Sequence, residues 1–338
     1  MSTVVEMRLD NALRHALGPD VARFLDEDAV TDLMLNADGR LWLDRAGHGR
    51  EDTGRVLASP DAEAALRLIA HDCGVPLTRT APVLSATLPR TGERIAATIP
   101  PVTARPTFAI RKPPAVTFEL TAFAPKAGEG FQGPEEGRND PAPDNGGPAL
   151  TALRRAMAER RNILIAGSTG SGKTSCLSAL LQIASVQRDR CLVLEDTREI
   201  AVPAADHVRM LTSPEVPMRA LVQLSLRYRP DRIILGEVRS GDAAIELIHA
   251  MNTGHSGSFC TIHANSAHDA LGRLEDLCAE VCPQPPCRSI ATAIGCIAFL
   301  RRTSTGREIS EVLFVDGWDS GYMVREMSIP SYVEVADI

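Results

Sequence analysis

Gly167-Ser168-Thr169-Gly170-Ser171-Gly172-Lys173-Thr174 is the stretch whose reading decides the fold. An apolar run, Ile163-Leu164-Ile165-Ala166, leads into it, and Cys176-Leu177-Ser178-Ala179-Leu180-Leu181 follows with the look of a helix. Strand, glycine loop and helix are the context in which G-x-x-x-x-G-K-[ST] binds phosphate. The glycines let successive backbone N–H groups turn inward, and the new helix adds its positive end, so the loop forms a cradle for a β-phosphate. Lys173 is expected to neutralise the β- and γ-phosphates of ATP, and the Thr174 hydroxyl to ligate Mg²⁺. A purely structural turn needs neither the Lys-Thr pair nor glycines and serines in this order.

Working outward, a second apolar strand, Cys191-Leu192-Val193-Leu194, ends in Glu195-Asp196-Thr197-Arg198-Glu199. Acidic groups at the carboxyl end of a strand beside a phosphate loop stand where an α/β sheet carries out metal and water chemistry. A third, Arg232-Ile233-Ile234-Leu235, runs into Gly236-Glu237-Val238-Arg239 and places Glu237 at a strand end, the position of the acid that holds Mg²⁺ or polarises the attacking water. His255, in a glycine-rich turn, and His263, at the end of Phe259-Cys260-Thr261-Ile262, have no Cys or carboxylate at ligand spacing. Hydrogen-bonding or phosphate-sensing roles therefore suit them better than a metal centre.

Composition narrows the classes. A chain of 338 residues is too long for one ordinary core, and 44% hydrophobic residues can fill two. Aromatic residues make up only 4% and the formal charge is −7, so neither a stacking platform for single-stranded nucleic acid nor a basic field is expected. No run reaches the roughly 18 apolar residues of a membrane span, and the first residues lack the plan of a signal peptide, so a cytoplasmic protein with at most peripheral membrane contact is expected. The eight cysteines read as reduced core thiols, and the one cluster, Cys278, Cys282 and Cys287, matches no common zinc spacing.

Residues 7 to 25 carry Leu9, Leu13, Leu17, Val21 and Leu25 at helical spacing. Val30 to Leu35 and Leu41 to Leu43 flank Asn36-Ala37-Asp38-Gly39, a hairpin signal. A helix is expected to start with Ser59 as its cap and Pro60 as its first residue, and to stop at Gly74. Short strands follow near 84–88, 94–99 and 107–111, giving a small α+β domain over 1–125. Residues 126–148 turn to Gly, Pro, Glu, Asp and Asn, a composition too polar to offset ordering entropy, and are read as a linker. The remainder, 149–338, is the α/β domain of the phosphate loop.

Four stretches in fixed order, Gly167 to Thr174, Leu194-Glu195-Asp196, Ile233 to Arg239, and Thr253-Gly254-His255 through Thr261-Ile262-His263-Ala264-Asn265, resemble the Walker A, Asp, Walker B and His boxes of the traffic ATPases of type II and type IV secretion. Leu226-Arg227-Tyr228-Arg229-Pro230-Asp231-Arg232-Ile233 is most similar to the conjugation branch of that family. The resemblance implies a RecA-like C-terminal domain with a smaller N-terminal one, assembled as a homo-hexamer that binds ATP and Mg²⁺. It also implies work at the inner membrane with the components of a type IV secretion or conjugation apparatus, and no direct sequence-specific nucleic-acid binding. Arg94 and Arg111 read from composition as solvated cations; the resemblance assigns them to the γ-phosphate. It further implies that Glu195 positions or deprotonates water while Glu237 holds the metal through water, or the reverse. His263 would sense phosphate, and Arg227, Arg229 and Arg239 would reach across a subunit boundary. A motor of type II secretion or type IV pili, and a nucleic-acid-dependent translocase on the same fold, are the alternative readings.

Overall fold

The computed structural model describes residues 17–45, 48–88, 92–112, 118–125, 147–213, 215–303 and 306–327. Most of the expected helix over 7–25 and nearly all of the expected linker over 126–148 lie outside these residues. The chain divides into two compact units, Met1–Val116 and Thr117–Ile338.

The first unit is a six-stranded sheet. Its strands are β1 (Val30–Leu35), β2 (Arg40–Arg45), β3 (Gly49–Val56), β4 (Val83–Thr87), β5 (Arg94–Thr98) and β6 (Thr107–Arg111), in the order β3-β2-β1-β6-β5-β4, with every neighbour pair antiparallel. One face alternates inward as Leu33, Leu35, Leu41, Leu43, Ile95 and Ile110, and it is covered by helices α1 (Pro19–Asp26) and α2 (Ser59–Asp72) through Val21, Phe24, Leu66 and Ile69. Each such side chain contributes roughly 1.5–3 kcal/mol on leaving water. The other face mixes polar residues, Arg40, Asp44, Asp32, Arg111 and Arg94, with a row of Trp42, Met34, Ala109 and Ala96.

Helix α2 begins one residue earlier than its sequence suggests. The Ala58 carbonyl already accepts the Ala62 N–H at 2.9 Å, so Ala58 is the cap and Ser59 the first helical residue, with no side-chain cap bond. It stops as expected, with Gly74 at φ 68° and the Val75 N–H folded back onto the Ala70 carbonyl at 2.8 Å.

The second unit is a mixed eight-stranded sheet. Its strands are β7 (Ile163–Gly167), β8 (Cys191–Glu195), β9 (His207–Leu211), β10 (Arg232–Leu235), β11 (Phe259–Ile262), β12 (Cys296–Thr303), β13 (Gly306–Trp318) and β14 (Tyr322–Met327), in the order β14-β13-β12-β7-β11-β10-β8-β9. From β12 to β9 the ladder is parallel, and β13 and β14 close it antiparallel. The helices are α3 (Gly147–Ala158), α4 (Lys173–Leu181), α5 (Ala184–Gln187), α6 (Met218–Ser225), α7 (Gly241–Asn252), α8 (Ala267–Ala279) and α9 (Cys287–Ala293). β7, β8, β10 and β11 are buried along their whole length, so they read as continuous apolar runs, as strands covered on both faces must. Leu120 and Phe123, placed by composition at the end of the first domain, are instead buried here in one cluster with Leu150, Leu177 and Ile309.

Strand order positions the site. β11 lies between β7 and β10, with Ile262 level with Ala166 and Cys260 level with Leu235, and β8 flanks β10 with Leu194 level with Leu235. The carboxyl ends of four adjacent strands thus deliver, side by side, the glycine loop, His263, Glu237 and Glu195.

Candidate active site

The loop after β7 has room only for glycine at its first position. Gly167 has φ 155°, and a Cβ there would stand 2.5 Å from Ser171 Oγ and 2.6 Å from the Leu300 carbonyl oxygen. Gly172, at φ 95°, makes the left-handed turn into α4, whose first residues are Lys173 and Thr174. Ser168, Thr169 and Gly170 are exposed along the outer curve, while Ser171 is fully buried and its Oγ has no hydrogen-bond partner among the described residues. A hydroxyl buried without a partner costs about 1–3 kcal/mol, so this cradle is incomplete without a polar guest.

Lys173 fills the mouth of the loop. Its Nζ donates to the carbonyls of Gly167 (2.9 Å) and Ser168 (3.0 Å) and lies 3.1 Å from His263 Nδ1. The side chain is almost entirely buried, and desolvation pulls its pKa from the ordinary 10.5 to about 8, with Glu237 opposing the fall and Arg239 adding to it. The ammonium donates to His263 Nδ1, which fixes the tautomer: the proton sits on Nε2, 3.0 Å from Glu237 Oε1. Burial, and then the Lys173 charge, hold the His263 pKa below its usual value, in keeping with a neutral ring set between lysine and carboxylate.

Burial pushes the Glu237 carboxyl up, but the Arg239 hydrogen bond of 2.7 Å and the charges of Arg239, His263 and Lys173 outweigh it and leave the pKa lowered. Arg239 also lies 3.4 Å from Asp196 Oδ2, and Asp196 Oδ1 accepts from the Thr212 hydroxyl at 3.1 Å. Arg239, expected at a subunit boundary, therefore joins the second and third boxes of its own chain. Arg227 and Arg229 are exposed, the latter with φ 51°.

Glu195 differs from Glu237 in kind. It is 2% exposed; Oε1 accepts the N–H groups of Glu199 (2.8 Å) and Ile200 (2.7 Å), and Oε2 accepts from Arg209 Nη1 (2.8 Å). Desolvation raises its pKa despite these donors. Arg209 also donates to the Ile200 carbonyl at 2.7 Å, so carboxylate and guanidinium together fix the loop that leaves β8. Arg209 sits on β9, a strand the sequence did not announce. The only hint was that an acid at the end of a buried strand needs a cation nearby.

In the first unit, Arg94 and Arg111 are directly opposite each other on β5 and β6. Like charges facing across a strand pair are unfavourable, and Asp32, whose Oδ1 lies 3.2 Å from Arg111 Nε, offsets one of them. The two arginines that the resemblance singled out are thus neighbours on the face of that sheet away from its core.

The site fits ATP with Mg²⁺. A glycine cradle, an orphaned hydroxyl and a depressed lysine all await an anion, and the Thr174 hydroxyl with an ionised Glu237 is an oxygen donor set suited to Mg²⁺, which keeps several waters.

The family model described as "Type II/IV secretion system protein" matches residues 147–306. The probable conjugal transfer protein TrbB of Sinorhizobium fredii is 36% identical over 93% of this chain and 92% of its own. The conjugal transfer protein TrbB of Rhizobium radiobacter is 35% identical over 94% of each. The pilus retraction motor PilT, solved with bound ADP, superposes with a TM-score of 0.59 at 17% identity, over 92% of this chain and 83% of that one, a likeness of fold that places a RecA-like domain behind the glycine loop. With identity of this level over almost its whole length, the chain belongs to the traffic ATPase family of type II and type IV secretion.

Proposed function

We propose that this protein hydrolyses ATP, with water giving ADP and phosphate, as a homo-hexameric motor of a conjugative type IV secretion system. It would act at the cytoplasmic face of the inner membrane with that system's membrane components. No helix among the described residues is long and apolar enough to cross a membrane, which suits a peripheral place. The observation that carries the reading is the run of close polar contacts from Lys173 through His263 to Glu237, 3.1 Å and then 3.0 Å, set across the ends of β7, β11 and β10. It ties the group that would hold the β- and γ-phosphates to the carboxylate that would manage water.

In this reading the loop N–H groups and Lys173 bind the phosphates, and Thr174 with Glu237 would hold Mg²⁺. When bound, the ion supplies neutralisation of the charge that builds on the phosphate oxygens. Glu237, ionised and with Oε1 3.0 Å from His263 Nε2, takes the part of orienting or deprotonating the attacking water. Glu195, with both oxygens already engaged by donors, acts as a positioning residue for the loop after β8. His263 senses the phosphate by losing or keeping its bond to Lys173, and Arg94 and Arg111 serve the γ-phosphate. The RecA-like unit from Thr117 on and the smaller unit up to Val116 are taken as the bodies that such a motor moves.

The test is phosphate release by the purified protein over a concentration series, with Lys173→Ala and Arg94→Ala alongside and the oligomeric mass recorded at each point. The expected result is turnover that rises as rings form and falls in both variants. Absence of hydrolysis in every oligomeric state, with and without lipid, refutes the reading; turnover that needs added DNA moves it to a nucleic-acid translocase.

A further inference from the structure

The second unit has a cleft of about 410 Å³ at the end of its sheet opposite the glycine loop. It is bounded by the close of α3, the turn Arg160-Arg161 that leads into β7, the segment around α5 and the first residue of β10. These are the amino ends of the strands whose carboxyl ends build the nucleotide site, so the lining shares no residue with that site. The volume falls within the roughly 300–1,000 Å³ of small-molecule sites.

The lining charge is one-sided. Four arginines, Arg154, Arg160, Arg188 and Arg232, face one carboxylate, Asp189, in a chain whose formal charge is −7. Asp189 is already claimed twice: Arg232 Nε lies 2.6 Å from it and Arg160 Nη1 3.2 Å. Arg232 is 2% exposed, braced by the Gly257 carbonyl at 2.6 Å and by the Phe259 ring, so one wall of the cleft carries a fixed, desolvated guanidinium. Arg160 is fixed too, through Asp189, the Asp231 carbonyl and its own left-handed backbone. Arg188, after α5, has no ion pair among the described residues. Met157 and Ile183 supply an apolar wall.

We propose that this cleft binds a phosphorylated small molecule, its phosphate on the arginines and an apolar portion against Met157 and Ile183. Arginines on α3, on the turn before β7, after α5 and on β10 set several positive charges around the cleft, which suits a phosphate dianion better than a carboxylate. A recessed cleft with an apolar wall suits a molecule that carries more than the bare anion.

The probe is phenyl phosphate, titrated calorimetrically into the full chain with Mg-ADP saturating, beside inorganic phosphate and beside phosphatidylglycerol vesicles. The expected result is binding of phenyl phosphate tighter than that of inorganic phosphate. Arg188→Glu should weaken it by about tenfold or more, the loss of one charge-assisted contact. Ser185→Trp, which fills the cleft without changing charge, should abolish it, with the thermal midpoint and Mg-ADP affinity of both variants unchanged. If vesicles bind with the same two sensitivities and displace phenyl phosphate, the site stands and its phosphate comes from a lipid headgroup. Absence of binding by every probe, or binding indifferent to both substitutions, overturns the proposal.

Discussion

Replacing Lys173 with Met tests the energetics of the site more sharply than loss of activity does. The lysine's pKa falls from 10.5 unfolded to about 8 folded, and each unit corresponds to about 1.36 kcal/mol. Above pH 10.5 the amine is neutral in both states and nothing is lost. As pH falls from 10.5 to 8 the unfolded chain takes up the proton first, so stability is lost, and below pH 8 the full penalty of about 3 kcal/mol applies. Met removes that penalty but leaves the buried Gly167 carbonyl without the Lys173 donor, at a cost of about 1–3 kcal/mol. At pH 7 the two effects largely cancel, so the difference between variant and parent at one pH says little. The slope is diagnostic: between pH 7 and 9.5 the parent should gain about 2 kcal/mol relative to Lys173→Met, because most of its penalty is gone at the higher pH. Urea unfolding of both proteins without nucleotide, at five pH values, measures it, and the other lysines cancel in the difference. A gap that stays constant within about 0.5 kcal/mol would refute the claim that the loop holds this ammonium at a loss.

Other expectations follow from the same geometry. Anion binding should return the Lys173 pKa toward its ordinary value, so nucleotide binding at pH 8.5 should take up most of one proton and weaken roughly thirtyfold between pH 7 and 9.5; calorimetry in buffers of different ionisation enthalpy reads both. Glu237→Gln keeps the shape and the contact with His263 but removes the charge, and single-turnover assays should show hydrolysis slowed by roughly 10²–10⁴-fold while ATP still binds. Gly167→Ala drives a Cβ to 2.6 Å from the Leu300 carbonyl, a backbone atom that cannot step aside; nucleotide binding should be lost and the thermal midpoint should drop with about 1–3 kcal/mol of stability. Asn162→Ala should cost about 1–3 kcal/mol for each of the two buried groups it abandons, the Ser258 N–H at 2.9 Å and the Ala293 carbonyl at 2.7 Å, as measured by denaturant unfolding.

What could be read in the sequence was what the chain states locally. Gly167 to Thr174, Glu237 and His263 each follow an apolar run, and a parallel sheet gathers the ends of its strands, so their convergence could be foreseen without knowing strand order. β3 could not be foreseen: Gly49-Arg50-Glu51-Asp52-Thr53-Gly54-Arg55-Val56 is an edge strand exposed along most of its length, with no apolar alternation to mark it. β9, an edge strand of half-buried residues, was hidden for the same reason, and with it the partner of Glu195. The engagement of Glu195 depends on two backbone N–H groups and on Arg209, fourteen residues away, and only the register of β8 with β9 brings that arginine alongside. The facing of Arg94 and Arg111 is likewise a matter of register.

These details share a direction. Without an anion the second unit keeps a lysine that loses free energy by being charged, a serine hydroxyl with no partner and a glycine turn that tolerates no side chain, while the first unit places two arginines opposite each other. The charged lysine and the buried hydroxyl each cost their unit stability, and a sequence selected for stability alone would have replaced them. A triphosphate offers the complementary charge and acceptors: in the proposed reading it would draw the ammonium from the Gly167 and Ser168 carbonyls and from His263 Nδ1, which stands between the lysine and Glu237. Occupancy of the loop would then be felt at the carboxylate through a single imidazole, because β11 lies between β7 and β10. Had β7 and β10 been adjacent, lysine and carboxylate could have paired directly, and filling the loop would have released nothing at a third strand.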